Sequence, residues 1–244
     1  MTFLERVTPT GAGMPPWLRR QHLARYRWAA GWVRGRRVID AACGLGYGTV
    51  LLAEAGADRV TGYDLEPAAV AAAGRAAGGA PGVTFAVGDV TRLPVPDGAC
   101  DVFVSFETIE HLPDDGAFLR EVRRVVRPGG YFLLSTPNRA LFNPGKGAAD
   151  RPVNPFHVRE YTPVELRRRL APEFAAIDWY GQTDFGGDYA AGLAAVGRYW
   201  PGPAARLHQA AKLARLPWDT YQTHYPAALD TLAAPEIVLA VCRV

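Results

Sequence analysis

Residues 38–48 read Val-Ile-Asp-Ala-Ala-Cys-Gly-Leu-Gly-Tyr-Gly. Val38 and Ile39 lead into an acid, Asp40, and glycine then stands at every second position, Gly44, Gly46 and Gly48. The next segment, 49–55, reads as a helix. The pattern is therefore strand, tight turn, helix start. Glycine accepts positive φ and lets a ligand approach the main chain with no Cβ in the way. The helix start offers N–H groups that lack an intrahelical partner. A purely structural turn can carry the same glycines, so the reading rests on what surrounds it.

Upstream, residues 1–16 are polar with Gly and Pro and read as an arm. Trp17, Leu23, Tyr26, Ala30 and Val33 recur at helical spacing, which predicts a helix over 17–33 that carries His22 and Arg25 towards the first strand. Downstream, strands are expected at 36–41, 59–64, 82–87, 101–106, 131–135 and 174–180. Helices are expected at 67–77, where Pro67 opens the run, at 114–126, closed by Pro128-Gly129-Gly130, and at 162–170. Residues 181–234, rich in Gly, Ala, Pro and aromatics, break the alternation and read as an insertion with a helix near 204–216. Residues 236–242 read as a closing strand. Strands alternating with helices imply an α/β fold: a Rossmann-like, seven-stranded, mostly parallel sheet with helices on both faces and a helical insertion before the last strand. The expected division is an N-terminal arm and helix over 1–35 acting as a lid, a core over 36–180, an insertion over 181–234 forming part of a substrate site, and the closing strand over 235–244.

Acids follow the second and third strands, Asp64 and Asp89, and Asp64 comes 24 positions after Asp40. Open parallel sheets bind ligands beyond the carboxyl ends of their strands. An acid at the second strand end can accept both hydroxyls of a ribose, so a nucleotide-like ligand suits the crevice. A dinucleotide oxidoreductase would also use Asp64, but its glycine pattern is G-x-G-x-x-G, and here it is G-x-G-x-G.

Asp40-Ala-Ala-Cys-Gly-Leu-Gly-Tyr-Gly, Tyr63-Asp64, Gly88-Asp89-Val90, the Leu93-Pro94 to Cys100-Asp101 segment and Arg127-Pro128-Gly129-Gly130 together resemble the motif series of class I S-adenosylmethionine-dependent methyltransferases, over roughly residues 20–180. The resemblance implies S-adenosylmethionine as cofactor. It implies Gly44 and Gly46 against the cofactor, Asp64 on the ribose with Leu65 beside it, and Asp89 and Val90 at the adenine. Phe106 would lie near the methionine ammonium, Asp40 would orient that ammonium, and Arg25 is a candidate to neutralise the carboxylate, the alternative being a surface arginine. Ala42 stands where many members carry glycine; alanine is expected to fit a strand end there.

After the fourth strand, Glu107, Glu110 and His111 form E-x-x-E-H. On one helical turn, positions i, i+3 and i+4 share a face. Two carboxylates and an imidazole suit Mg²⁺ or Mn²⁺, with Zn²⁺ and Fe²⁺ also admissible. The alternative is a metal-free site in which the histidine packs or acts as base. Thr136-Pro137-Asn138 then opens a long loop holding His157. The combination is similar to metal-dependent small-RNA 2′-O-methyltransferases, and its first half to the ubiquinone-pathway O-methyltransferases. Carried over, the ligands would be Glu107, Glu110, His111 and His157, and the catalytic groups His111, Glu110 and His157.

Composition narrows the substrate. The net charge is only +3 and the basic residues are spread out, Arg167-Arg168-Arg169 reading as the solvated side of a helix. Nucleic acid is therefore not the expected partner. Aromatics in the insertion suit a small-molecule acceptor such as a sugar or natural product. No apolar window long enough for a membrane span and no signal-peptide pattern is read, and three cysteines near strands argue for a reducing, cytoplasmic setting. Expected overall is O-methylation of a hydroxylated metabolite, with divalent-metal assistance. The alternatives are a metal-independent N- or C-methyltransferase, an RNA 2′-O-methyltransferase, and a non-methylating protein that binds the same cofactor.

Overall fold

The computed structural model describes residues 16–143, 145–184, 220–225 and 236–244. The strands are β1 (Arg37–Ala41), β2 (Arg59–Asp64), β3 (Val83–Val87), β4 (Cys100–Phe106), β5 (Val126–Pro137), β6 (Ala176–Asp184), β7 (Thr220–Tyr225) and β8 (Ile237–Arg243). They form one sheet in the order β3-β2-β1-β4-β5-β8-β6-β7. Strands β1 to β5 pair in parallel, and β8 runs antiparallel between β5 and β6. The seven strands read from the sequence are all present. An eighth, β7, pairs antiparallel with β6 from within the segment expected to be helical. The helix expected near 204–216 lies outside the described residues.

Helices α1 (Pro16–Ala29), α2 (Tyr47–Glu54), α3 (Pro67–Ala77), α4 (Asp115–Val125), α5 (Arg139–Phe142) and α6 (Pro163–Leu170) complete the described elements, with short 3-10 turns at Ala30–Trp32 and Ile109–His111. The central strands are apolar on both faces because both faces are covered. Ile39, Phe103 and Phe132 pack with Phe118 and Leu119 of α4 and Leu166 of α6. Their neighbours Val38, Val102, Val104 and Leu133 point the other way, onto Tyr26 and Ala29 of α1 and Leu52 of α2. Strand β1 lies between β2 and β4, so the chain leaves it to one side and returns on the other. That switch opens a crevice at the carboxyl ends of the strands, where an α/β sheet takes its ligand. Among the described residues no helix is long and apolar enough to cross a membrane, and Cys43, Cys100 and Cys242 are buried free thiols.

Candidate active site

A cleft of about 1210 Å³ runs across these strand ends. One end is built by the glycine turn. Gly44 adopts φ 56° with no atom of the described residues within 4 Å of the position of a Cβ, and it lines the cleft. Its N–H donates to Asp64 Oδ2 at 2.9 Å, and Glu66 N–H donates to Asp64 Oδ1 at 3.0 Å. The acid at the end of β2 thus ties the turn after β1 to the start of α3. The other two glycines serve packing. A Cβ on Gly46 would sit 2.6 Å from the Phe85 ring, and one on Gly48 would sit 2.0 Å from the Tyr26 ring. Gly46 does not line the cleft; its φ of 77° and its closeness to Phe85 are what require glycine. Ala42 adopts φ 59°. The strand-end backbone expected for alanine there is not what it takes: Ala42 is left-handed, a conformation glycine supplies without strain.

Asp40 is fully buried and does not line the cleft. It accepts from Thr49 Oγ1 at 2.7 Å and Tyr26 Oη at 3.1 Å, which clamps β1 to α2 and α1. Burial lifts its carboxyl to about 7 against the opposing effect of those two bonds. Arg25 is neither at the surface nor on the cleft wall. It is buried, donates through Nη1 to Gln182 Oε1 at 2.8 Å, and has no hydrogen-bond partner at Nε or Nη2 among the described residues. Burial, and then its charge, hold His22, a cleft residue, well below the usual histidine range. Leu65, Asp89, Val90 and Phe106 all line the cleft. Leu65 is 70% exposed, and Asp89 caps its own turn by accepting from Thr91 N and Oγ1. Phe106 stacks edge-on against Tyr26.

The other end of the cleft is assembled from three segments. Strand β4 stops at Phe106, and Glu107 reverses the chain with φ 53°. The 3-10 turn Ile109–His111 begins beyond it, so Glu107 is not on the same helical turn as Glu110 and His111. Its Oε1 instead accepts from Ser135 Oγ on β5 at 2.6 Å. Glu107 is therefore not one of the clustered potential ligands. One donor atom each from Glu110, His111 and His157 lies within 4.8 Å of the others.

Glu110 is completely buried; Thr136 Oγ1 donates to its Oε2 at 2.9 Å, while Oε1 has no hydrogen-bond partner among the described residues. Oε1 lies 4.0 Å from His111 Nε2. Burial first, and the charge of Glu107 second, push the Glu110 carboxyl well above the usual range. His157 arrives on the loop after α5. Val158 and Arg159 N–H both donate to the Glu110 carbonyl, at 2.8 and 3.1 Å. His111 Nδ1 bonds the Phe156 carbonyl at 3.0 Å, and the two imidazoles meet edge-on with centroids 4.7 Å apart.

The glycine turn, Asp64 and this carboxylate–imidazole cluster share one cleft. Residues 39–134 match the family model described as "Methyltransferase domain". A "Probable S-adenosylmethionine-dependent methyltransferase" of Mycolicibacterium smegmatis is 40% identical over 93% of this chain and 84% of its own length. The chain belongs to the S-adenosylmethionine-dependent methyltransferases. Among solved structures, a methyltransferase of Thermotoga maritima superposes with a TM-score of 0.64 at 16% identity, over 93% of this chain and 91% of that one. DhpI in complex with SAH gives 0.55 at 23%, over 96% and 89%. The enzyme's cofactor is S-adenosylmethionine.

In this methyltransferase the sequence reading missed four residues around the cluster: Thr136, Asn143, Asn154 and Glu160. Thr136 stood in the Thr-Pro-Asn stretch noted as a loop start, but nothing local joined it to Glu110, 26 positions earlier. Glu160, 3% exposed, receives His157 Nδ1 at 2.7 Å and the amide of Asn143. A carboxylate three residues after a histidine was the available signal.

Proposed function

We propose that the enzyme methylates a hydroxyl of a small molecule, with a divalent cation held by Glu110, His111 and His157. The observation that carries this reading is the orphaned Oε1 of Glu110. A buried carboxylate oxygen with no donor costs several kcal/mol unless it is neutralised. Two imidazoles beside it are the chemistry that completes a cation site, and a carboxylate with two histidines is a common ligand set for divalent metals. The residues fit the group. When bound, such a cation supplies Lewis acidity that makes an acceptor hydroxyl more nucleophilic at neutral pH.

The chain's own residues do the rest. Asp64, oriented by main-chain bonds from Gly44 and Glu66, is placed at the end of β2 to accept from the ribose hydroxyls. Leu65 and Val90 offer apolar contact to the base, with Asp89 at its edge. Phe106 and Glu107, at the end of β4, separate this half from the acceptor half. Glu110 and His111 orient the hydroxyl, since a displacement at carbon demands near-linear approach at about 3 Å. The exposed side chains of Phe142 and Val153 on the rim favour an acceptor with an apolar body over nucleic acid.

A second reading keeps the cluster and omits the cation. His111 then takes the proton as general base, and N- or C-methylation comes into range. The two are separated by measuring S-adenosylhomocysteine release from a panel of hydroxylated small molecules with Mg²⁺ or Mn²⁺ and with excess chelator. Release that needs the metal, with Mn²⁺ binding lost in Glu110→Gln, is expected. Undiminished release in chelator by a protein that binds no Mn²⁺ sinks the metal reading.

A further inference from the structure

The hydrogen bonds around His157 determine where its ring proton lies. Two chains of bonds each start at a main-chain N–H, a group that can only donate. In the first, Val153 N–H donates to Asn143 Oδ1 at 2.7 Å. That orients the Asn143 amide, whose Nδ2 must then donate, and it does so to Glu160 Oε2. Glu160 Oε1 lies 2.7 Å from His157 Nδ1. In the second, Phe156 N–H donates to Asn154 Oδ1 at 3.0 Å. The Asn154 Nδ2 is thereby a donor, and it lies 2.9 Å from His157 Nε2. A nitrogen that receives a hydrogen bond cannot also carry a proton in the neutral ring. Both chains therefore place the proton on Nδ1 and the lone pair on Nε2.

We propose that Glu160, held by Asn143, is the positioning residue that fixes His157 in the Nδ1–H tautomer, with Asn154 occupying the Nε2 lone pair until a ligand displaces it. Histidines that bind metals commonly donate their second N–H to a carboxylate or carbonyl, which sets ring orientation and raises ligand basicity. His111 meets the same requirement through the Phe156 carbonyl. Phe156 thus serves both rings, its C=O holding His111 and its N–H setting Asn154. The assignment of the proton stands on the bonding alone; its use in holding a cation rests on the function proposed above. Glu160 is 3% and Asn143 also 3% exposed, so water does not substitute freely for either.

The test uses the full chain with ¹⁵N-labelled histidine, without added metal, at a pH where the rings are neutral. Long-range ¹H–¹⁵N correlations distinguish a protonated from an unprotonated ring nitrogen, and His157→Gln assigns the signals. His157 is expected to show Nδ1 protonated and Nε2 unprotonated, and Asn154→Ala is expected to retain that pattern. Glu160→Gln forces an NH₂ group against either Nδ1 or Asn143. It is expected to shift His157 towards the Nε2–H tautomer and to weaken Mn²⁺ binding about 10–100-fold. Should that variant not fold, Asn143→Ala, which keeps the carboxylate but frees it, is expected to shift the signals in the same direction. An Nε2–H tautomer in the wild type overturns the proposal. So does unchanged tautomer and Mn²⁺ affinity in a folded Glu160→Gln, or unchanged signals in Asn143→Ala. A wild type with the expected tautomer but no Mn²⁺ binding overturns the cation reading and leaves Glu160 as the residue that sets the ring.

Discussion

The two ends of the cleft are built in opposite ways. The end with Gly44 and Asp64 is made from consecutive strand–turn–helix units, and its defining bonds join main-chain N–H groups to one carboxylate. The end with Glu110, His111 and His157, with Thr136 bonded to Glu110, is made by side chains from three separate segments, locked by bonds such as Val158 N–H to the Glu110 carbonyl. The first construction suits a ligand that every member of a family shares, because main-chain geometry survives changes of side chain. The second suits a substrate that differs between members, because each contributing segment changes independently.

This contrast is broken or sharpened by substitutions at each end. The largest expected effect is at the acceptor end. Glu110→Ala or His111→Ala is expected to lower turnover about 10²–10⁴-fold, the range for a positioned acid–base or orienting group. Affinity for S-adenosylhomocysteine, measured by calorimetry, is expected to stay unchanged. A parallel loss of both would mean that the two ends are one unit.

The converse substitution is next in size. Asp64→Ala removes the acceptor for two main-chain N–H groups and is expected to weaken cofactor binding about 10–100-fold, as for the loss of hydrogen bonds to a charged group. A separate effect, on stability, concerns Asp40, which lies beneath the cofactor end without lining the cleft. Its carboxyl is raised from 3.8 to about 7 when folded. The unfolded chain therefore releases this proton first, so the group's contribution to stability is fully present below about pH 4 and is lost as pH rises to about 7. Asp40→Asn abolishes that dependence. In urea unfolding across this window the wild type is expected to lose stability relative to the variant by up to about 1.4 kcal/mol per pH unit. Parallel curves for the two proteins would show that Asp40 ionises freely.

How much could be read in advance follows the same division. The strand–glycine–helix reading and the acids at the ends of β2 and β3 came from short-range pattern, and the sheet follows from it. Within that stretch, individual roles were less legible. Gly46 answers to Phe85, 39 residues further on, and Ala42 takes a left-handed backbone that its neighbours in sequence do not announce. Arg25 looked like a residue that touches a ligand, yet it is buried against Gln182 of β6. Glu107 shows how spacing fails when its premise fails: i, i+3, i+4 places side chains together only on a continuous helix, and the φ of 53° at Glu107 ends that continuity.

By itself the sequence determined the alternation of strands and helices, hence the mostly parallel sheet and the cofactor turn. Local propensity and period are enough for these. Only the tertiary structure decided which carboxylate stands beside which imidazole. Glu110 and His157 are separated by all of α4 and β5, and the main-chain bonds of the 154–161 loop to the Glu110 carbonyl bring them together. Bonds between segments so distant leave no periodic trace in the chain.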